Sequence, residues 1–340
     1  MSGRLLRLVC TTALAAHVAL APSAAVGVPE PAERPVAELL TELQRLYREA
    51  ESATEAYNAT EERLKAKRGE VTRLDTELTR ARLALDDSRD TAGRLARQQY
   101  QSHTDISPYV RLLLAKDPQH ALDEGHVIGQ LARDRASATT RLAQDEHRRD
   151  TLTRGARTAL DAQLALTARK KKALDDVRRR LGDVQKLLAS LTPEQLARLA
   201  LLERTQVDRR QRELLDSDTL PATDAPASPA GERAVRYAMD QVGKPYATGT
   251  AGPSSYDNSG LAVGAWRRTI PRTAKEQWAR LPKVPLRQLR PGDLVLYRPD
   301  ATHVAVYVGK GKVVQAPGPG GRVRVTPIAA DPVLGAVRPA

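Results

Sequence analysis

The chain contains no phenylalanine, and aromatic residues make up only 3% of its 340 positions. That scarcity argues against one large compact core and suits long helices paired through Leu and Ala. Cysteine is almost absent too. The one cysteine, Cys10, lies inside an N-terminal export-type segment, and Arg7-Leu8-Val9 before it form no lipid-attachment motif. Once that segment is removed there is no disulfide, no thiolate metal site and no thiol nucleophile. Past this segment, no apolar run could span a membrane.

Residues 1–25 have the layout of a cleaved signal peptide. Arg4 and Arg7 start it, an apolar run from Leu8 to Ala21 follows, and Ser23-Ala24-Ala25 supplies small residues for cleavage. A membrane anchor is the alternative, but the run is short and the prolines Pro22, Pro29, Pro31 and Pro35 follow it.

What the chain has in plenty is Leu, Ala and Arg in helical spacing. Counting in sevens from Val36 gives Leu43, Ala50, Tyr57, Leu64, Val71, Leu78, Leu85 and Ala92. The companion row three residues on runs from Leu39 to Leu95, with a polar middle at Thr60 and Lys67. Such a seam predicts a coiled coil over 36–101. A break with Pro108 and Pro118 interrupts it at 102–125. A second long helix is expected from about Val127 to Leu191, with Leu174, Val177, Leu181, Val184, Leu188 and Leu191 in three-four spacing. A third, short helix opens at Thr192-Pro193-Glu194. The expected organisation is a signal (1–25), a helical coiled-coil region (36–215), a Pro/Ala/Asp/Ser-rich linker (216–231) and a C-terminal domain (232–340).

The C-terminal domain changes character. A helix at 232–242 precedes a Gly-rich turn and a second helix beginning near Asn258. Then come β-branched runs bounded by Pro or Gly: DLVLYRP, HVAVYVG, KVVQAP and RVRVTPI. Gly309–Lys312 reads as a hairpin turn and not as a phosphate loop, having no strand–loop–helix context and no Ser or Thr after the Lys. From residue 231 on there are 17 Lys and Arg against 7 Asp and Glu, so +10 of the net +13 sits here. Charge alone permits a nucleic-acid partner. Export and the absence of any reader motif point instead to an anionic wall polymer.

Four segments, QVGKPYATGTAGPSSYDNSGL (241–261), IPRTAKEQW (270–278), LRPGDLVLY (289–297) and THVAVYVGKGKVVQAPGPGGRVRV (302–325), in that order, resemble the NlpC/P60 family. Its members are papain-like cysteine peptidases that cut the peptide stems of bacterial peptidoglycan. The resemblance implies an α+β fold: a long α-helical coiled-coil hairpin followed by a small papain-like domain with an antiparallel sheet. It places the family's nucleophilic Cys on Asn258, its general base on His303 and the residue that orients that base on Gln315. Tyr246 lines the same cleft in relatives, and Asp257 and Ser259 flank the nucleophile position as substrate-side residues. The family's Cys is replaced by Asn258, and the Trp-Gly-Gly usual after Lys-Pro-Tyr reads Thr248-Gly249-Thr250.

An Asn side chain cannot attack a carbonyl. It is, with Asp257, a favoured residue at a helix start. Ser259, one residue on, is rotated by about 100° around the helix and should point away from His303. His303 is the single His of this domain; it reads either as a structural residue at the head of an apolar strand or as a retained base. No metal or cofactor is expected. Three functions follow: a secreted wall protein with a degenerate peptidase domain that binds wall peptides or regulates partner hydrolases; an active hydrolase with a non-standard nucleophile; or a structural coiled-coil interaction protein. By resemblance, the 105–126 elbow would meet a membrane partner of the cell-division ABC-transporter type.

Overall fold

The computed structural model describes residues 35–101, 110, 118–217, 219–221 and 225–340. The expected export signal with Cys10, and residues 102–109 and 111–117 of the expected elbow, lie outside them. Among the described residues no helix is long and apolar enough to cross a membrane.

Two helices dominate, α1 (Val36–Gln101) and α2 (Pro118–Ala189). They run antiparallel, as the cross-helix pairs show: Glu49 with Arg180, Glu61 with Lys170, Ser88 with Asp145. As one residue number rises its partner's falls. The row read in sevens supplies the buried seam, with Ala50, Leu64, Leu78 and Leu85 on α1 and Val177 and Val184 on α2 all inaccessible. Helix α2 starts at Pro118, nine residues before the apolar periodicity becomes clear at Val127. Pro is tolerated at a first helical position because its missing N–H is one of the unpaired donors there.

Helix α3 (Pro193–Asp216) is longer than its sequence suggests. Its start is a full capping box, in which the Thr192 hydroxyl accepts from the Gln195 N–H and the Gln195 side chain accepts from the Thr192 N–H.

The C-terminal part is an antiparallel sheet with helices α4 (Pro229–Asp240), α5 (Asn258–Ala265) and α6 (Ala274–Arg280). Its strands are β1 (Lys283–Val284), β2 (Leu294–Tyr297), β3 (His303–Gly309), β4 (Lys312–Gln315), β5 (Arg324–Pro327) and β6 (Val333–Val337), in spatial order β1-β6-β2-β3-β4-β5. The four runs read from sequence are β2 to β5; β1 and β6 were missed. Lys310 and Gly311 make the β3–β4 turn with φ of 53° and 65°, the left-handed pair that a two-residue hairpin requires.

Both faces of the central strands β2 and β3 are covered, which is why these two are apolar almost throughout. Leu294, Leu296, Val304, Val306 and Val314 pack with Ala234, Ala238, Leu261 and Ala262 of α4 and α5. The alternate residues Val295, Tyr297, Ala305, Tyr307 and Val313 pack with Ile328, Leu289 and, from the α3 end of the chain, Leu214 and Leu220. The period-two pattern of β-strands thus sorts one sequence into two cores.

Candidate functional site

Helix α5 begins where the resemblance places the family's nucleophile. Asp257 is its N-cap, accepting from the Gly260 N–H at 2.6 Å. Gly260 allows the close approach of the preceding loop, since a Cβ there would lie 2.0 Å from the Thr250 carbonyl oxygen. Asn258, the first helical residue, is 1% exposed. Its Nδ2 donates to the Thr302 carbonyl at 3.2 Å and lies 3.4 Å from His303 Nδ1. His303 Nε2 is 2.5 Å from Gln315 Oε1, and Gln315 Nε2 donates to Thr326 Oγ1 at 2.7 Å. Because the Gln315 amide nitrogen is committed to Thr326, its oxygen must accept, so His303 Nε2 carries a proton. Asn258, His303 and Gln315 therefore converge as one hydrogen-bonded line spanning a helix start and two strands.

The other residues singled out from sequence fall around this line. Asp257 is fully buried and forms a fork with Arg272, at 3.0 and 2.6 Å, so its carboxylate is occupied by structure. Ser259 Oγ donates to Glu55 of α1 at 2.7 Å and receives Arg272 at 3.0 Å; it bonds away from His303. Tyr246 has its hydroxyl buried against Thr54 of α1 and Thr248, and burial pushes its phenol up.

Sequence reasoning missed the largest feature of the site, which is that α1 lies in it. Four polar residues on one stripe of that helix, Glu51, Thr54, Glu55 and Asn58, are buried against the C-terminal part. Glu51 is 0% exposed, pairs with Arg298, and holds its other oxygen 3.2 Å from His303 Nδ1. Arg298 also reaches Asp331 at 3.1 Å. Glu55 takes the Ser259 hydroxyl and, at 2.8 Å, the backbone N–H of Ala274 at the start of α6. Asn58 donates to Asp257 at 3.0 Å, and Thr54 faces Thr248 at 3.5 Å. The loops on either side close in: a Cβ on Gly249 would strike the Tyr57 ring at 2.9 Å, and one on Gly318 would touch Tyr47 and Glu51. The spacing 51, 54, 55, 58 is a second helical stripe and was the available signal, but charged residues in that register look like a solvated flank.

This interface titrates. Burial, reinforced by the Asp257 charge, pushes the Glu55 carboxyl up to about 8; the Ser259, Ala274 and Arg272 contacts pull against it. Burial alone would lower His303, but the Glu51 carboxylate, helped by Asp331 and opposed by Arg298, leaves it raised above 6.5. For Glu55 the docked helix binds a proton more tightly than a free carboxyl near 4.5, so docking weakens as pH climbs from there to about 8. The His303 contribution is complete below 6.5 and fades as pH rises through its elevated value. Both act in one direction. The chemical-denaturation midpoint is expected to fall between pH 6 and pH 8, and Glu55→Gln should flatten that dependence. A midpoint that rises over the window would contradict this accounting.

Among the described residues, no cluster of three or more His, Cys, Asp or Glu could hold a metal ion. Comparison with known proteins fits the geometry. Residues 243–334 match the family model described as NlpC/P60 family, and this segment is an NlpC/P60 domain. A "Probable endopeptidase" of Corynebacterium glutamicum (strain R) is 37% identical over 106 residues, 30% of this chain and 50% of that protein. "Murein DD-endopeptidase MepH" of Escherichia coli (strain K12) is 36% identical over 121 residues, 32% of this chain and 45% of that one. "Peptidoglycan endopeptidase RipA" of Mycobacterium tuberculosis (strain ATCC 25618 / H37Rv) is 34% identical over 116 residues, 29% and 25% of the two chains. The chain thus spans half or less of the length of these relatives, and the likeness is confined to about a third of its own.

Proposed function

We propose that this is an exported cell-wall protein whose NlpC/P60 domain binds peptidoglycan stem peptides, or controls a partner hydrolase, without cutting peptide bonds itself. One observation carries the reading. The position that faces His303 at the start of α5 is held by the amide of Asn258, 3.4 Å away. His303 and its Gln315 partner form the pair that would draw a proton from a thiol and keep the imidazole in the right tautomer. An amide in the thiol's place accepts no such role, and the adjacent Ser259 hydroxyl is committed to Glu55. The names of the relatives support peptidoglycan as the ligand, and the basic C-terminal part suits an anionic wall. The hairpin is read as the arm that meets a membrane partner of the cell-division type.

The test has two arms. The full chain incubated with purified sacculi should release no soluble muropeptides, and it should sediment with them. Release of fragments that disappears in His303→Ala would replace this reading with an active hydrolase. Failure to sediment together with no release would leave an interaction protein built on the hairpin.

A further inference from the structure

The geometry points to the far end of α5 as a binding site for a phosphodiester group of an anionic wall polymer, taken up by the Arg267 and Arg268 guanidiniums beside the Tyr237 ring. The choice of a wall polymer rests on the exported-protein reading above, and the site goes beyond that reading.

An open hollow of about 280 Å³ lies where α5 ends, lined by Tyr237 of α4, Gly252 and Pro253 of the loop before α5, Gly264, Arg267 and Arg268. Helix α5 runs from Asn258 to Ala265, so at 1.5 Å per residue the hollow is about 12 Å along the helix from Asn258. Neither His303 nor Gln315 lines it, and no acidic side chain does. Both arginines are exposed. Among the described residues, neither guanidinium has a hydrogen-bond or ion-pair partner. Arg272, Arg298 and Arg338 of the same domain are each paired with a carboxylate.

The backbone makes this placement unfavourable. The Arg268 N–H donates to the Val263 carbonyl at 2.8 Å and the Arg267 N–H to the Gly264 carbonyl at 3.1 Å. This is a Schellman ending, whose left-handed residue is usually Gly. Here Arg267 has φ 49° and Arg268 φ 64°. Side chains at both positions strain the turn, and Gly would relieve it. The two arginines gain no ion pair that could offset the strain. Strain held in this way clusters at ligand sites.

The chemistry of the hollow selects the ligand. A guanidinium is a planar fork matched to oxyanions. One fork covers both oxygens of a carboxylate, whereas phosphodiester oxygens are set tetrahedrally and can meet two forks from two sides. The rest of the wall is nearly bare of side chains, and a Cβ on Gly264 would lie 2.9 Å from Tyr237 Oη. A polyol or sugar chain flanking the phosphate can therefore approach the backbone closely. Tyr237 adds a directed acceptor. Gln241 Nε2 donates to the Tyr237 carbonyl, so Gln241 Oε1 accepts from the Tyr256 hydroxyl at 3.0 Å. The Tyr237 hydroxyl then donates to Tyr256 at 2.7 Å, and its lone pairs can accept from a ligand hydroxyl.

The experiment is calorimetric titration of the full chain with poly(glycerol phosphate). The variant is Arg267→Gly/Arg268→Gly, and the control Lys275→Ala/Lys312→Ala removes the same charge at exposed positions elsewhere. The Gly variant should bind about tenfold or more weakly, since a hydrogen bond to a charged group is worth that much. Its thermal midpoint should equal or exceed the parent's, and the control should bind as the parent does. Equal losses in the two variants would reduce the binding to diffuse charge and overturn the site, as would no loss in either. Should the Gly variant melt earlier, Arg267→Gln/Arg268→Gln decides in its place. Equal binding of phosphatidylglycerol vesicles through the same arginines would assign the hollow to a membrane and overturn the wall polymer. Sacculi stripped of phosphodiester-linked polymer by hydrofluoric acid separate this site from the stem-peptide reading. Parent and Gly variant should sediment equally with stripped sacculi, and the parent more strongly with intact ones. No sedimentation of either with stripped sacculi counts against the stem-peptide reading alone. Equal sedimentation of both with intact sacculi overturns the phosphodiester site alone.

Discussion

Asn258→Cys by itself is expected to leave peptidoglycan uncut, whereas Asn258→Cys combined with Glu51→Ala and Glu55→Ala is expected to give thiol-dependent cleavage. The single substitution puts a sulfur at the first residue of α5, where Asp257 caps the helix and the positive end of the helix dipole favours a thiolate. It also puts that sulfur close to His303, whose orientation Gln315 already fixes. Yet Nδ1, the atom that must take the thiol proton, faces the Glu51 carboxylate at 3.2 Å, and Glu51, Thr54, Glu55 and Asn58 of α1 are buried beside it. A base paired with an anion under a packed helix is expected to do no work. Truncating both glutamates removes the anion and the two anchors of the helix together. Loss of a nucleophile from such a unit costs about three to six orders of magnitude, so its return in an open cleft should be large against the silent parent. Muropeptide release measured by chromatography, with and without a thiol-alkylating reagent, reads the outcome. If the single variant cleaves as fast as the triple one, α1 does not guard the site. If the triple variant stays silent while exchange shows α1 released, the cleft has lost catalytic geometry, and Thr248 and Thr250 in place of the family's Trp-Gly-Gly are the first residues to suspect.

The parts of this molecule that were legible in sequence are those where one residue pattern has one physical solution. The seam of Leu and Ala every seven residues can bury itself only against another helix, and it does. The runs at 294–297 and 303–309 are apolar on both alternations because two cores flank the middle of the sheet, whereas 324–327 lies at its edge with Arg324 and Val325 exposed. The line Asn258–His303–Gln315 was visible through the motif that carries each residue. Strand β6 was not: Gly335 interrupts it, and its partner β1 is two residues long. Nor was the polar stripe of α1. A Glu or Asn on a helix flank is solvated in most proteins, and only a partner far along the chain reveals otherwise. Glu51 meets Arg298 across 247 residues and Glu55 meets Ala274 across 219, separations at which local pattern carries no information. Asp257 was legible as a cap but not as the carboxylate that Arg272 and Asn58 both occupy.

Arg298→Ala is expected to destabilise the chain by about 3–5 kcal/mol, and Glu51→Gln is expected to restore a substantial part of that loss. Glu51 is wholly buried, and Arg298 is its guanidinium partner. Removing the guanidinium strands a carboxylate with His303 alone, and an uncompensated buried charge is among the few single changes of this size. Asp331 loses a partner too, but it is more exposed and solvent can replace the contact. The backbone offers no relief, because residue 298 sits at φ 65°, where Ala is as strained as Arg. Neutralising Glu51 removes the stranded charge while keeping the shape of the side chain, so the double variant should be more stable than Arg298→Ala. A double-mutant cycle from denaturant curves gives the coupling directly. Coupling near zero would mean that the Glu51–Arg298 pair is solvated in solution and that α1 does not dock as described. Strong coupling would fix the charge pair as the clasp between α1 and the NlpC/P60 domain, independently of whether any wall peptide ever displaces it.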